Sequence, residues 1–537
     1  MPPGVFSTML NRRNFLEFSS ISALLLASGI PSSAHANKRL KMGADEPFSF
    51  DLLMKRAHDM AMQPYIASSS PSANLMEKLD YDTHNKIRFK PEYTLFADGQ
   101  GQFPITFFHP GKFFPKPVRL HVVDKGVAKE IVYDQTYFDI PEDSPARQLR
   151  HQAGFAGFRI QESRRDKQGK LESRSNDWAS FLGAAYFRAI GEQYQYGLSA
   201  RGIALDVAQA GVLEEFPDFT DFWFETSADT KSRSVVLYAL LNGPSVCGAY
   251  RFVMQRGKGV VMDVEAALFM RSEVQRFGIA PASSMYWFSE QAKKTAVDWR
   301  PEVHDSDGLA IWTGTGERIW RPLNNPSRTM TSAFSDNNPK GFGLLQRDRD
   351  FNHYLDGVQY GRRPSLWIEP QGNWGKGTVQ LVEIPTDDEI HDNIVAMWVP
   401  EKPAVPGTEY RLSYRMHWLD DEPYPDSELA RCVATRLGNG GQPGQPRPVG
   451  VRKFMVEFQG HSLEKIPVDV FPEAVLSCSR GSYSYVFTHP VPDGIAGHWR
   501  AQFDLAVEGL EPVEMRLYLR LGDQTLSETW LYQYHPF

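Results

Sequence analysis

The sequence has few of the residues that build disulfide frameworks or metal sites. Cysteine occurs three times in 537 residues, as Cys247, Cys432 and Cys478, and no pair has zinc or redox spacing. At most one disulfide can form, so side-chain packing must supply the stability. The chain also lacks a Gly-rich phosphate loop, an H-E-x-x-H motif and a G-x-S-x-G motif. Serine or metal hydrolysis is therefore unsupported, and we predict no cofactor and no metal.

Neither a basic stripe nor a long internal apolar run is present. The net charge is −7, and the acidic and basic residues are interspersed. This distribution argues against a nucleic-acid partner. No stretch beyond the N-terminal region approaches the length of a transmembrane helix.

The N-terminus has the order of an export signal. Arg12 and Arg13 precede an apolar run at 21–30, and small residues follow at 34–36. The arginine pair before Phe15 is typical of the twin-arginine route. An ordinary Sec signal is the alternative. We predict a signal peptide at 1–36 and export to the periplasm.

The mature chain is rich in aromatic residues and turn formers. The full sequence contains 12 Trp, 21 Tyr, 34 Phe, 42 Gly and 37 Pro. Aromatic faces stack on the apolar faces of sugar rings, and polar side chains bond the hydroxyl groups. This composition favours carbohydrate binding, although large β-sandwiches share it.

Short alternating or β-branched runs separated by turns predict an all-β fold. The segments 250–255 and 260–268 flank a glycine-containing turn and predict a hairpin. Apolar spacing predicts a helix over 50–62 and a second helix over 178–190.

The mature chain of about 500 residues is too long to pack around one hydrophobic core, so we expect two domains. The stretch 400–407 holds three prolines and a glycine and predicts a stiff linker. The predicted domains are a β-sandwich over 37–399 and an immunoglobulin-sized β-sandwich over 408–537.

Two acidic patches are candidates for catalysis. The first, 304–309, contains Asp305 and Asp307, and the second, 387–393, ends near Asp392 between two strand-like runs. Carboxylates at strand ends can act as acid and base in a groove. One alternative is that both patches are solvated turns. The other is that they bind Ca²⁺, through Asp305 and Asp307 in the first patch and through residues 387–388 in the second.

Tryptophans and charged residues near these patches are candidates for substrate binding. The residues are Arg363, Trp367, Glu369, Trp374 and Lys376, together with Asp307 of the first patch. The two tryptophans could equally belong to the core.

Long blocks of the sequence resemble the glucans biosynthesis protein D/G family of periplasmic proteins that make osmoregulated periplasmic glucans. The resemblance spans nearly the whole mature chain. Its blocks include 155–160 (FAGFRI), 181–189 (FLGAAYFRA), 194–202 (YQYGLSARG), 336–346 (DNNPKGFGLLQ), 363–370 (RPSLWIEP) and 527–534 (SETWLYQY).

The resemblance implies a large mutarotase-like β-sandwich followed by an immunoglobulin-like domain, and an anomer-inverting endo-β-1,2-glucanase activity. It implies Asp392 as the general acid, Asp305 as the general base and Tyr360 as a relay of the proton through water. Inversion needs one protonated carboxylic acid and one carboxylate that activates water.

The resemblance leaves other functions open. The same residues could serve a transglycosylase that cyclises or branches β-1,2-glucan, or the chain could be a non-catalytic scaffold for a membrane glucan synthase. The implied partners are β-1,2-linked glucan and that synthase. A homodimer is one oligomeric state that the sequence leaves open.

Export should depend on the arginine pair. We expect the double substitution Arg12→Lys and Arg13→Lys to leave the precursor in the cytoplasm, because the twin-arginine translocase reads both arginines. Cell fractionation and immunoblotting measure the distribution. A normal periplasmic yield of the double variant would assign the signal to the Sec route.

Overall fold

The structure is a computed structural model that describes residues 39–68, 72–97, 103–162, 176–227, 234–292, 297–424, 428–467 and 469–537. The predicted signal peptide at 1–36 lies outside these ranges. No helix in the described part of the chain is long and apolar enough to cross a membrane.

The described residues form mainly strands. The helices are α1 (Phe50–Ala61), α2 (Ala73–Met76), α3 (Tyr81–Asn85) and α4 (His461–Glu464). The strands of the first half are β1 (Met42–Pro47), β2 (Arg88–Phe89), β3 (Ile105–Phe108), β4 (Arg119–Asp124), β5 (Val127–Ile131), β6 (Phe138–Asp139), β7 (Gly157–Gln161), β8 (Asp177–Leu182), β9 (Tyr186–Ala189), β10 (Ser199–Arg201), β11 (Ile203–Leu205), β12 (Asp218–Glu225), β13 (Ser234–Asn242), β14 (Val246–Arg256), β15 (Val260–Met270), β16 (Phe277–Ser284) and β17 (Tyr286–Phe288). Those of the second half are β18 (Val303–His304), β19 (Gly308–Trp312), β20 (Arg318–Pro322), β21 (Met330–Asn337), β22 (Gly341–Leu345), β23 (Ser365–Gln371), β24 (Lys376–Glu383), β25 (Ile394–Pro400), β26 (Glu409–Leu419), β27 (Arg431–Asn439), β28 (Val451–Gln459), β29 (Glu473–Cys478), β30 (Ser482–Pro490), β31 (His498–Ala506), β32 (Val513–Leu521), β33 (Gln524–Thr525) and β34 (Thr529–Tyr534).

Two large sheets form a sandwich. The larger sheet runs β1-β5-β4-β12-β13-β14-β15-β26-β23-β22-β19-β20-β34-β32-β29, and the facing sheet runs β21-β24-β25-β16-β10-β9-β8-β7-β3. Phenylalanines fill the space between them. Phe158 and Phe181 of the facing sheet stack at 5.0 Å, and Phe222 of the larger sheet meets Phe158 edge-on at 5.0 Å. The predicted all-β sandwich is confirmed.

The larger sheet also carries a second core on its other face. Leu366 and Ile368 of β23 point into the first sandwich, whereas Trp367 between them joins the second core. Strands β27, β28, β31 and β30 form a sheet that covers this face, where Phe454 and Phe503 stack at 5.0 Å. Because successive side chains of a strand point to opposite faces, one sheet serves two cores.

The helix predicted at 50–62 is confirmed as α1. Its N-cap Ser49 accepts a hydrogen bond from the Leu52 N–H, and its apolar face, including Leu53 and Ala57, packs on the larger sheet. The predicted hairpin is confirmed as β14 and β15, whose turn is closed by the Gly257 N–H donating to the Gly259 carbonyl at 3.0 Å.

The helix predicted at 178–190 is wrong. This segment forms β8 and β9, joined by a turn in which Gly183 and Ala184 have positive φ angles of 76° and 43°. A left-handed pair interrupts a right-handed helix. The segment is apolar on both faces because each face is covered, so helical spacing and a buried strand look alike in the sequence.

The predicted boundary at 400–407 does not separate the two sandwiches. Strand β26, which lies beyond that stretch, pairs with β15 on one side and β23 on the other, inside the larger sheet. The second sandwich therefore begins after Leu419. Pro400 and Pro403 only mark the connection between β25 and β26.

A truncation series tests the place of β26. We expect residues 37–407 to give little soluble protein, because β15 and β23 lose the strand between them. Residues 37–423, which keep β26, should unfold cooperatively in a thermal scan followed by circular dichroism. Equal yield and equal melting temperature of the two fragments would show that β26 does not belong to the first sandwich.

Candidate active site

Asp305 is fully buried at the end of β18. Its backbone N–H donates to the carbonyl oxygen of Met285 at 2.8 Å, in the connection between β16 and β17. Its carboxylate forms an ion pair with Arg363. A nearby cation favours the ionised form of a carboxylate, which is the form that a general base needs.

Asp392 is partly exposed in the loop that joins β24 to β25. Its buried neighbour Asn393 fixes this loop with its side-chain amide. Asn393 Oδ1 accepts from the Tyr286 N–H at 2.8 Å, and Asn393 Nδ2 donates to the Tyr286 carbonyl at 2.9 Å. The backbone of Asp305 and the side chain of Asn393, which follows Asp392, are thus bonded to adjacent residues of one segment, 285–286.

Tyr360 links the surroundings of the two aspartates. Its ring lies beneath Arg363, with 4.3 Å between the ring centroid and the guanidinium carbon. Its hydroxyl donates to Glu389 Oε2 at 2.5 Å, and Arg300 Nη1 donates to the same oxygen at 2.7 Å. Glu389 lies in the loop that carries Asp392, so Tyr360 connects the ion pair of Asp305 to that loop.

The wall beside Asp392 carries charges that the sequence patterns did not single out. Arg201 of β10 is buried, and it donates to Glu214 Oε1 at 2.7 Å and to Ser283 Oγ at 2.9 Å. Burial lowers the pKa of Arg201, but Tyr186, Glu214 and Asp392 around it raise the pKa overall. The sequence did offer one indication of this role, because Arg201 stands among the small residues of a strand. A charge buried at such a position needs a partner.

A buried carboxylate lies behind Asp305. Glu302 Oε2 is 3.0 Å from His304 Nε2, and Glu302 Oε1 is 2.8 Å from His353 Nδ1. Burial raises the pKa of Glu302, but hydrogen bonds and charge from the two histidines outweigh it and lower the pKa to about 2. The hydrogen bond with Glu302 raises the pKa of His353. This arrangement fixes the histidine that precedes Asp305.

Asp307 helps to hold the chain together, and it also lines a small pocket beside Arg347 and Asp348. Its side chain is buried, and Oδ2 accepts the backbone N–H groups of Arg347 at 2.9 Å and Asp348 at 3.0 Å. Burial raises the pKa of Asp307. These backbone contacts use one carboxylate oxygen, and the role of Asp307 in substrate binding stays a prediction.

The two predicted tryptophans belong to the cores. Trp367 has 0 % of its surface exposed, and Trp374 has 9 %. Trp374 Nε1 donates to the Ser413 carbonyl at 3.2 Å. Neither indole offers a face to a sugar ring, which corrects the prediction that they bind substrate.

Two further predicted residues lie away from the aspartates. Glu369 Oε2 is 3.0 Å from His417 Nε2, on the face of β23 that also carries Trp367. Lys376 opens the eight-residue strand β24, and the loop of Asp392 leaves its other end, roughly 23 Å away at 3.3 Å per residue. Of the predicted substrate residues, Arg363 is the one that the structure brings to an aspartate.

One group of described side chains has potential metal-ligand atoms within 4.8 Å of one another, namely Glu302, Asp348 and His353. The contact between Glu302 and His353 accounts for that closeness. None of the four aspartates considered as Ca²⁺ ligands belongs to this group, so the geometry does not support that alternative.

Comparisons with known proteins agree over almost the whole chain. The family model described as "Periplasmic glucan biosynthesis protein, MdoG" matches residues 48–534. "Glucans biosynthesis protein D 2" of Ralstonia nicotianae is 68% identical over 529 residues, covering 98% of both chains. "Glucans biosynthesis protein D" of Xanthomonas axonopodis pv. citri is 44% identical over 539 residues, and that of Stenotrophomonas maltophilia is 45% identical over 539 residues, each covering 98% of both chains.

The buried Glu302 predicts a pH-dependent stability. Glu302 stabilises the fold above its unfolded pKa of 4.5, and this contribution is lost as the pH falls toward about 2. Protonated His353 stabilises the fold below its unfolded pKa of 6.5. This stabilisation is lost as the pH rises through the raised pKa of His353 in the folded state. Glu302→Gln should therefore lower the free energy of unfolding by about 1–3 kcal/mol at a pH of about 5–6, and by less at lower or higher pH.

Thermal unfolding midpoints of the wild type and Glu302→Gln, measured from pH 3 to pH 9, test this expectation. The exposed Glu511, which pairs with the exposed Arg328, supplies the control Glu511→Gln. A midpoint difference for Glu302→Gln that does not change with pH would contradict the assigned ion pairs.

Proposed function

This chain belongs to the family of periplasmic glucan biosynthesis proteins, and from that premise we propose that it is an anomer-inverting endo-β-1,2-glucanase with Asp392 as acid and Asp305 as base. The observation that carries the proposal is that the backbone of Asp305 and the side chain of Asn393, which follows Asp392, are both bonded to the segment 285–286. An inverting hydrolase needs two carboxyl groups held in fixed relation on either side of the scissile bond.

The surroundings of the two aspartates support different roles. Asp305 is paired with Arg363, and a neighbouring cation favours the carboxylate form that can take a proton from water. Asp392 is partly exposed and can reach a leaving glycosidic oxygen. The nearby Arg201 donates to Glu214.

Tyr360 supports a relay between water and the base. Its hydroxyl is buried and belongs to a hydrogen-bonded chain with Glu389, and its ring contacts the arginine that pairs with Asp305. In the proposed reaction a water molecule attacks the anomeric carbon, its proton passes toward Asp305 through the Tyr360 hydroxyl, and Asp392 gives its proton to the departing sugar. The bond to the leaving oxygen breaks as the bond to water forms.

We also propose that the glucan reaches this chain from a membrane glucan synthase, and that the chain is exported by the twin-arginine route. The family description supports a periplasmic location.

Product analysis tests the reaction. The mature protein is incubated with linear β-1,2-glucan, and the products are read by mass spectrometry and by NMR of the new reducing end. Shorter linear chains that appear first as the α-anomer are expected. Products lighter than the linear chain by one water would indicate cyclising transfer, and unchanged glucan would indicate a scaffold.

Substitution of the acid gives a sharper test. Asp392→Asn is nearly isosteric, so the fold should persist while the proton donor is lost. General acid–base catalysis contributes about 10²–10⁴-fold to the rate, so glucan cleavage should fall by about that much. Asp305→Asn should be similarly inactive, whereas Asp388→Asn in the same loop should stay near wild type.

Cleavage rates and glucan affinities of the three variants separate these expectations. The affinity for glucan should change little in Asp392→Asn, because the amide still forms hydrogen bonds. Full turnover by Asp392→Asn, or an equal loss in all three variants, would reject the assignment.

A further inference from the structure

A cavity, named the second cavity to separate it from the candidate active site, lies beside the loop that carries Asp392. Its volume is about 630 Å³, within the usual range of small-ligand sites. It opens between β17, the residues after β20, the turn at 386–387 and the C-terminal strand β34. Neither Asp305 nor Asp392 lines it, so it is distinct from the candidate active site.

The walls of the cavity combine aromatic faces with polar groups. The half-buried Trp287 and the exposed Phe537 offer accessible ring surface to the cavity. Phe288, Tyr532 and Tyr534 also line it but are largely buried. Aromatic side chains supply large flat contact surfaces for a ligand with an apolar face.

Polar groups lie on the same walls. His535 Nε2 is buried and has no hydrogen-bond partner. Burial and the charges of Arg321 and Arg328 lower the pKa of His535 to about 4, so the imidazole is neutral near pH 7. Asp387 is exposed at the rim and adds a carboxylate. Flat apolar walls with separate hydrogen-bonding groups match the two apolar faces and equatorial hydroxyls of a glucose ring.

The cavity shares two elements with the candidate active site. Tyr286 lines the cavity, and its backbone is the anchor of Asn393. Asp387 belongs to the loop that also carries Glu389 and Asp392. A ligand in this cavity would therefore contact the elements that hold the acid in place.

We propose that this cavity is a second, non-catalytic site for a segment of β-1,2-linked glucan, a choice of ligand that rests on the proposed function. Its walls would hold sugar units that the aspartates do not cleave.

Isothermal titration with a linear β-1,2-glucan of about seven units tests the proposal. The full mature chain carries Asp305→Asn, so the ligand is not consumed. We expect two binding events in this background. Adding Trp287→Ala should remove one event or weaken it about tenfold or more, the usual loss when an aromatic contact at the centre of a site is truncated.

Asp387→Ala provides an independent variant, because this exposed residue can be replaced without disturbing the core. It should weaken the same event. Asp388→Ala is the matched control, since Asp388 neighbours Asp387 but does not line the cavity, and it should leave both events unchanged. Thermal unfolding of each variant verifies the fold.

The outcomes separate this proposal from the proposed function. Unchanged stoichiometry and affinity in both cavity variants would overturn the second site even if the wild type cleaves glucan. If the wild type leaves glucan intact, the glucanase proposal fails, while loss of one event in the cavity variants still supports the second site.

Discussion

The candidate site depends on the backbone of two adjacent residues, Met285 and Tyr286. Met285 accepts the N–H of Asp305, and Tyr286 exchanges two hydrogen bonds with the side chain of Asn393. The chain bends here from β16, in the facing sheet, into β17, which pairs with β18. Because peptide groups are rigid, these bonds fix the backbones that carry Asp305 and Asp392 relative to each other.

Packing on both faces of the larger sheet decides which aromatic residues can meet a ligand. The alternation that sends Leu366 and Ile368 into the first core sends Trp367 into the second. The buried indole of Trp367 therefore has a structural role, although its neighbours in the sequence suggested a role in binding. Trp287 differs, since β17 lies outside both large sheets and its side chain lines a cavity.

Local patterns predicted the elements that depend on local interactions. The capped helix α1 and the glycine turn between β14 and β15 are encoded within a few residues. The position of β26 depends on long-range pairing, which no local pattern carries. The strands β8 and β9 were mistaken for a helix because both of their faces are buried. In the site, the resemblance supplied the aspartates and Tyr360. Arg201 and Asn393 were missed because their roles depend on partners distant in sequence.

Polar contacts at three points fix the loop that carries Asp392. Glu383 at its start is fully buried and pairs with Arg321, Glu389 in the middle accepts from Tyr360 and Arg300, and Asn393 at its end binds Tyr286. Breaking a buried ion pair leaves an uncompensated charge, so such anchors tolerate little displacement. The position of the loop that carries Asp392 is therefore set before a ligand arrives. The same loop lines the second cavity through Asp387, so its anchors are shared by that cavity and the candidate active site.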